Sequence, residues 1–206
     1  MKTIKLFIEI ISRNFKRRHL KFVSVSGFVQ FLPILIAPIL TRIYSPEEFG
    51  LYAIFLALST LFGSVVGLTF HHAIVREKLD INAAQASYNT IVLSFFFTVL
   101  FGVLLFVLKH IFSISIFKEN ELLILNILIA SVMVKAFYLV FHNWMIRTSN
   151  FDLISRNKLI LGFSTAFMQV SLGFLSLGVL GLVIANLLGV LFACVLIFPT
   201  FYRESK

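Results

Sequence analysis

Residues 159–202 read LILGFSTAFMQVSLGFLSLGVLGLVIANLLGVLFACVLIFPTFY, 44 positions without a formal charge. A helix crosses a bilayer with about 20 mostly apolar residues, so this run is too long for one span and right for two. Gly173, Gly178 and Gly181 mark a reversal near Ser176–Gly181. The same test applied along the chain finds uncharged runs at 22–41, 49–75 and 81–108, and a run at 122–146 broken only by Lys135. Six spans follow, at about 20–43, 48–70, 87–108, 122–144, 158–176 and 180–201. The fold class is therefore an all-α integral membrane protein with a six-helix lobe over 20–201. A segment over 1–19 precedes it and a short tail over 202–206 follows.

Composition agrees. Of the 206 residues, 59% are hydrophobic and 13% charged. Soluble domains run at roughly 45–50% and about 25%. These values exclude a soluble enzyme, a secreted disulfide scaffold and a disordered chain. Cys194 is the single cysteine and cannot form an internal disulfide.

The net charge of +9 acquires meaning from where its 18 cations fall. Six spans put both termini on one side. Fourteen cations then share that side: Lys2, Lys5, Arg13, Lys16, Arg17, Arg18, Lys21, Arg76, Lys78, Arg147, Arg156, Lys158, Arg203 and Lys206. Three lie opposite, at Arg42, Lys109 and Lys118. Cytoplasmic loops carry the excess of Lys and Arg, so both termini are expected to be cytoplasmic, in a plasma (inner) membrane. This distribution also disposes of nucleic acid as a partner and leaves membrane lipid. Ile4, Phe7, Ile8, Ile11 and Phe15 share one helical face, which predicts an amphipathic surface helix over residues 3–17. A frayed basic tail is the alternative.

Between spans one and two, Ser45-Pro46-Glu47-Glu48 has the form of a helix start. Ser45 can cap, Pro46 suits the first position, and Glu48 completes a capping box. Residues 38–50, Pro-Ile-Leu-Thr-Arg-Ile-Tyr-Ser-Pro-Glu-Glu-Phe-Gly, resemble the first outer loop of bacterial polysaccharide biosynthesis (O-antigen flippase) proteins. These belong to the multidrug/oligosaccharidyl-lipid/polysaccharide exporter superfamily. Ser12-Arg13-Asn14-Phe15 and His72-Ala73-Ile74-Val75-Arg76 are similar to that family as well. The resemblance implies flipping of a lipid-linked oligosaccharide, carried on undecaprenyl pyrophosphate, for O-antigen, capsule or exopolysaccharide assembly. It also implies two six-helix lobes around a basic cavity. This chain corresponds to the N-terminal lobe, with nothing like a second lobe after Lys206. A partial flippase, a half-size carrier acting as a homodimer, and a non-transporting fragment or scaffold are the three readings that follow.

The most informative single residue is Lys135, near the middle of span four. A charge there costs at least ~2.5–3.5 kcal/mol on insertion scales. Ser131, Lys135, Tyr138 and His142 recur at helical spacing on one face, which predicts the wall of a wet cavity. Lys135 either contacts an anionic headgroup, is satisfied by neighbouring carbonyls, or snorkels to the membrane surface. Arg42 ends span one, as an interfacial anchor or, by the resemblance, as a cavity cation. His71 and His72 close span two. They are interfacial histidines or, for His72, a group that gates or responds to protons. No Asp or Glu lies inside a span, and no catalytic, metal or cofactor motif is present, so no enzyme activity is expected. Ser59, Gly63 and Gly67, and likewise Ala185, Gly189 and Ala193, form small-residue faces suited to close helix packing. Gln30, Asn89, Ser94, Thr98, Thr165, Gln169 and Asn186 are expected to be interhelical hydrogen-bond partners rather than ligands.

Overall fold

The computed structural model describes residues 24–67, 70–112 and 120–204, and every element among them is helical. The surface helix expected over residues 3–17 lies outside them. Six long helices and one short one follow each other in the chain. They are α1 (Ser24–Ile43), α2 (Pro46–Val65), α3 (His71–Arg76), α4 (Asp80–Phe112), α5 (Glu121–Arg147), α6 (Phe151–Phe174) and α7 (Val179–Glu204).

Local signals set most boundaries. The Ser45 hydroxyl accepts from the Glu48 backbone N–H at 3.3 Å, and the Glu48 carboxylate accepts from Ser45 N–H at 2.6 Å. That reciprocal cap starts α2 with Pro46 in its first turn, as expected. The α6–α7 reversal also falls where the glycines put it, with Ser176 at φ 55° and Gly178 at φ 56°. Two helices begin about two turns before the expected limits. α6 starts at Phe151 rather than 158, because the Asn150 side chain caps Leu153 N–H at 3.3 Å. Arg156 and Lys158 therefore sit inside its first turns. α4 starts at Asp80 rather than 87, since its polar first turns need not stop at the edge of an apolar run. A third difference is α3. Span two ends at Val65, and a separate one-and-a-half-turn helix follows it, burying His71 and Ile74.

α4 shows which solvent the fold is built for. Its Ser87, Thr90, Ser94 and Thr98 are buried, while Phe95, Phe96, Val99, Val103 and Phe106 are exposed. The hydroxyls of Ser87, Thr90 and Thr98 donate back to Ala83, Ala86 and Ser94 carbonyls at 2.7–2.8 Å. A helix that turns hydroxyls inward and phenylalanines outward faces lipid, where exposed polar groups have no water to bond.

The long helices alternate in direction. At one end, Tyr44 and Tyr52 meet Gln169, and Lys109 pairs with Glu121 at 3.1 Å. At the other, Arg147 pairs with Asp80 at 2.5 Å and donates to the Glu77 and Lys78 carbonyls. Trp144 donates to Glu204 at 3.2 Å beside it. Five of the six long helices have the length and apolar composition to cross a membrane. α6 is long enough at 24 residues but more polar, and its most extensive packing is against α7. Asn157 of α6 donates to the Ala193 carbonyl of α7 at 2.6 Å. A Cβ at Gly189 would collide with the Thr165 hydroxyl, so α6 and α7 approach as closely as their backbones allow.

Buried apolar residues form two cores. One, around Leu40, Tyr44, Phe55, Leu128 and Leu182, lies toward the Tyr44 end. The other, around Ile74, Val140, Trp144, Ile154 and Phe201, lies toward the Arg147 end.

Candidate functional site

Residues of α1, α2, α5, α6 and α7 line an open-sided cavity of about 680 Å³. Its lining is mostly aliphatic, including Leu32, Ile36, Leu56, Leu139 and Val190. Lys135 is the one formally charged side chain among its lining residues.

The small-residue face of α2 positions this lysine. Gly63 lets α5 come so close that a Cβ there would lie 3.0 Å from the Lys135 Cβ. Ser59, one turn earlier, is fully buried in the same seam. The ammonium donates to Ser59 Oγ at 2.7 Å and to Thr60 Oγ1 at 3.1 Å. Both partners are neutral hydroxyls. They satisfy two of the three ammonium donors, and neither neutralises the charge.

Of the stripe expected with Lys135, Tyr138 lines the cavity. His142 is half-buried one turn further on, with its ring 5.7 Å from that of Tyr138. Lys158 of α6 is near enough to interact electrostatically with His142, and it donates to Ser26 Oγ of α1 at 3.1 Å. Ser131 instead turns into the packed interior, where its hydroxyl has no partner among the described residues. Arg42 is exposed at the end of α1, and His72 is exposed with its ring 4.2 Å from that of His71. The structure brings neither of them to Lys135. His71 is buried, and burial together with the neighbouring His72 holds its imidazole below the usual histidine range.

Thr165, Gln169 and Asn186 are expected from the sequence to be packing groups, and nothing in the sequence singles out Tyr52. All four line the cavity. Gln169 Nε2 donates to the Tyr52 hydroxyl at 3.0 Å, and Asn186 lies beside the same hydroxyl. Gln169 is also tied through its backbone, because the Tyr44 hydroxyl donates to its carbonyl at 2.7 Å. The available signal was spacing. Thr165 and Gln169 stand four residues apart in α6, on one face.

A family profile described as polysaccharide biosynthesis protein matches residues 39–204. The chain belongs to that family. The match runs from within α1 to the last turn of α7. It therefore includes Lys135, Tyr138 and the Tyr52–Gln169–Asn186 group. As a member of the polysaccharide biosynthesis protein family with a multi-pass helical bundle, the chain has a membrane-associated role in making polysaccharide. No curated protein and no solved structure matches it.

Proposed function

We propose that the chain is one lobe of a flippase that moves a lipid-linked oligosaccharide across the bacterial inner membrane for O-antigen or other surface polysaccharide. The carrier group is a polyprenyl pyrophosphate. An opposing lobe, from a second chain or a second copy, completes the path. The role is transport rather than catalysis. The observation that supports this reading is Lys135: a cation in the middle of a spanning helix, on a cavity wall, with only neutral partners among the described residues. Keeping such a charge in the membrane is expensive, and an anionic ligand offsets the expense. Tyr138 continues the same wall, and His142 lies one turn beyond it toward the Arg147 end, which the cation distribution assigns to the cytoplasm. Arg42 and His72 would meet the substrate at the two membrane surfaces, before or after it occupies the cavity.

Farnesyl pyrophosphate titrated into the purified full chain in nanodiscs tests the reading, with farnesol and inorganic pyrophosphate as parallel probes. Farnesyl pyrophosphate should bind, and Lys135→Ala should weaken it roughly tenfold or more, as loss of a charge-assisted contact does. Lys135→Arg should retain part of the affinity. Equal binding by wild type and Lys135→Ala would remove the lysine from recognition. Restoration of surface polysaccharide in a flippase-null strain, by the chain with and without a second lobe, tests transport itself.

A further inference from the structure

The cavity has two chemically different ends. Thr60 and Lys135 hold the charged one. Eight residues earlier in α2, roughly 12 Å along the helix, Tyr52 marks the other. Here the lining is neutral: Tyr52 and Phe49 from α2, Gln169 from α6, and Asn186 from α7.

This end has unused hydrogen-bonding capacity. The Tyr52 hydroxyl accepts from Gln169 and keeps its own proton to donate. The Gln169 side-chain amide has spent one N–H of two. The Asn186 amide lies beside the same hydroxyl, and its Oδ1, covered by packing and without a partner among the described residues, meets a donor in the cavity when the amide rotates toward it. A buried carbonyl oxygen left without a donor is destabilising unless something supplies one. Donors and acceptors are interleaved, no formal charge is present, and two aromatic rings stand beside them. A phosphate would find no cation here, and a prenyl tail would strand the amides. A ring bearing hydroxyl or acetamido groups matches on each count.

We infer that Tyr52, Gln169 and Asn186 form a specificity-determining subsite for the neutral sugar ring joined to the anionic group held at Lys135. The inference rests on the reading of Lys135 as an anion site. It places the pyrophosphate deeper toward the Arg147 end and the first sugar toward the Tyr44 end. It also explains why three helices each contribute one uncharged polar group to a mostly aliphatic wall.

The test compares two probes on the full chain in nanodiscs: farnesyl pyrophosphate and farnesyl-diphospho-N-acetylglucosamine. Wild type should bind the sugar-bearing probe about tenfold more tightly, the increment of one or two good hydrogen bonds. Gln169→Met, Asn186→Leu and Tyr52→Phe should each bring that ratio toward one. Lys135→Ala should weaken both probes and leave the ratio largely intact. If Asn186→Leu or Gln169→Met fails to fold, Tyr52→Phe decides alone, since it removes a single oxygen. Equal affinity of wild type for the two probes would overturn this inference and leave the anion site standing. An unchanged ratio in the variants would do the same. Failure of wild type to bind either probe would overturn the anion site and the subsite together.

Discussion

The Lys135 ammonium and the Ser59 hydroxyl meet 2.7 Å apart across the seam where α2 and α5 pack most closely. The contact joins the one charged group of the cavity lining to a residue whose small size allows the seam to form. Packing and site are thus the same piece of structure here, and changes to one are read in the other.

Accessibility is the most direct consequence. In a Cys194→Ala background, cysteines at Lys135 and Tyr138 should react with a small membrane-impermeant thiol reagent. A cysteine at Leu128, on the same helix but fully buried in the Tyr44-end core, should stay unlabelled. Leu139 is not a suitable silent control, because it lines the cavity. Labelling at Leu128 equal to that at Lys135 would show that α5 does not present this face to an aqueous space.

Overpacking the close seams should destabilise the bundle. Gly189→Val places a side chain into the Thr165 hydroxyl, and Gly63→Val places one against Lys135. Losses of about 1–3 kcal/mol are expected for each. Gly50, with open space around its Cβ position, should tolerate alanine with little change. Thermal unfolding in detergent measures all three, and equal melting temperatures would contradict the packing described for α2–α5 and α6–α7.

Much of this arrangement was legible in the chain before the fold was seen. Uncharged runs between charges located every long helix, and 122–144 became Glu121–Arg147 with little adjustment. Ser45, Pro46 and Glu48 announced the start of α2 because a capping box depends only on residues three apart. What remained hidden depended on which residues face each other across helices. Lys135 reads as buried charge from its own neighbours alone, but its partners Ser59 and Thr60 lie some 75 positions away. Gln169 and Asn186 look like ordinary packing amides until α6 and α7 are folded against α2. α3 was missed for a different reason: a span that ends at Val65 and a helix that begins at His71 form one unbroken uncharged run.

Sidedness separates the six-helix reading from one in which α6 stays at the surface. Reporter fusions after Asn120 and Leu177 should share one side, and fusions after Lys78, Ser149 and Glu204 the other. The cation distribution assigns the second group to the cytoplasm. Identical sidedness at Ser149 and Leu177 would take α6 out of the membrane.

His71 should impose a pH dependence. Its folded-state pKa lies below the ordinary 6.5, through burial first and His72 second. The unfolded chain then binds the proton more readily, so stability rises with pH between the depressed value and about 6.5. Above that window His71 contributes no slope. Unfolding of wild type and His71→Gln between pH 8 and pH 5 should show a loss on acidification that is smaller in the variant. Parallel curves would mean that His71 takes up its proton in the folded state at no penalty.

The close pairing of α6 with α7 has a bearing on how the protein is made. α6 carries Arg156, Asn157, Lys158, Thr165 and Gln169, too many polar groups to partition into lipid as an isolated segment. α7 is strongly apolar, and it supplies the carbonyl that Asn157 needs and the bare backbone at Gly189 that receives Thr165. The left-handed turn at Ser176 and Gly178 folds one helix directly back on the other. During biogenesis, then, α6 is expected to wait at the translocon until α7 emerges from the ribosome, and the two leave for the bilayer as a hairpin. In nascent chains halted before α7, a cysteine at the outward-facing Phe167 should react with a membrane-impermeant thiol reagent, and in a Cys194→Ala chain extended through Phe201 lipid should shield it.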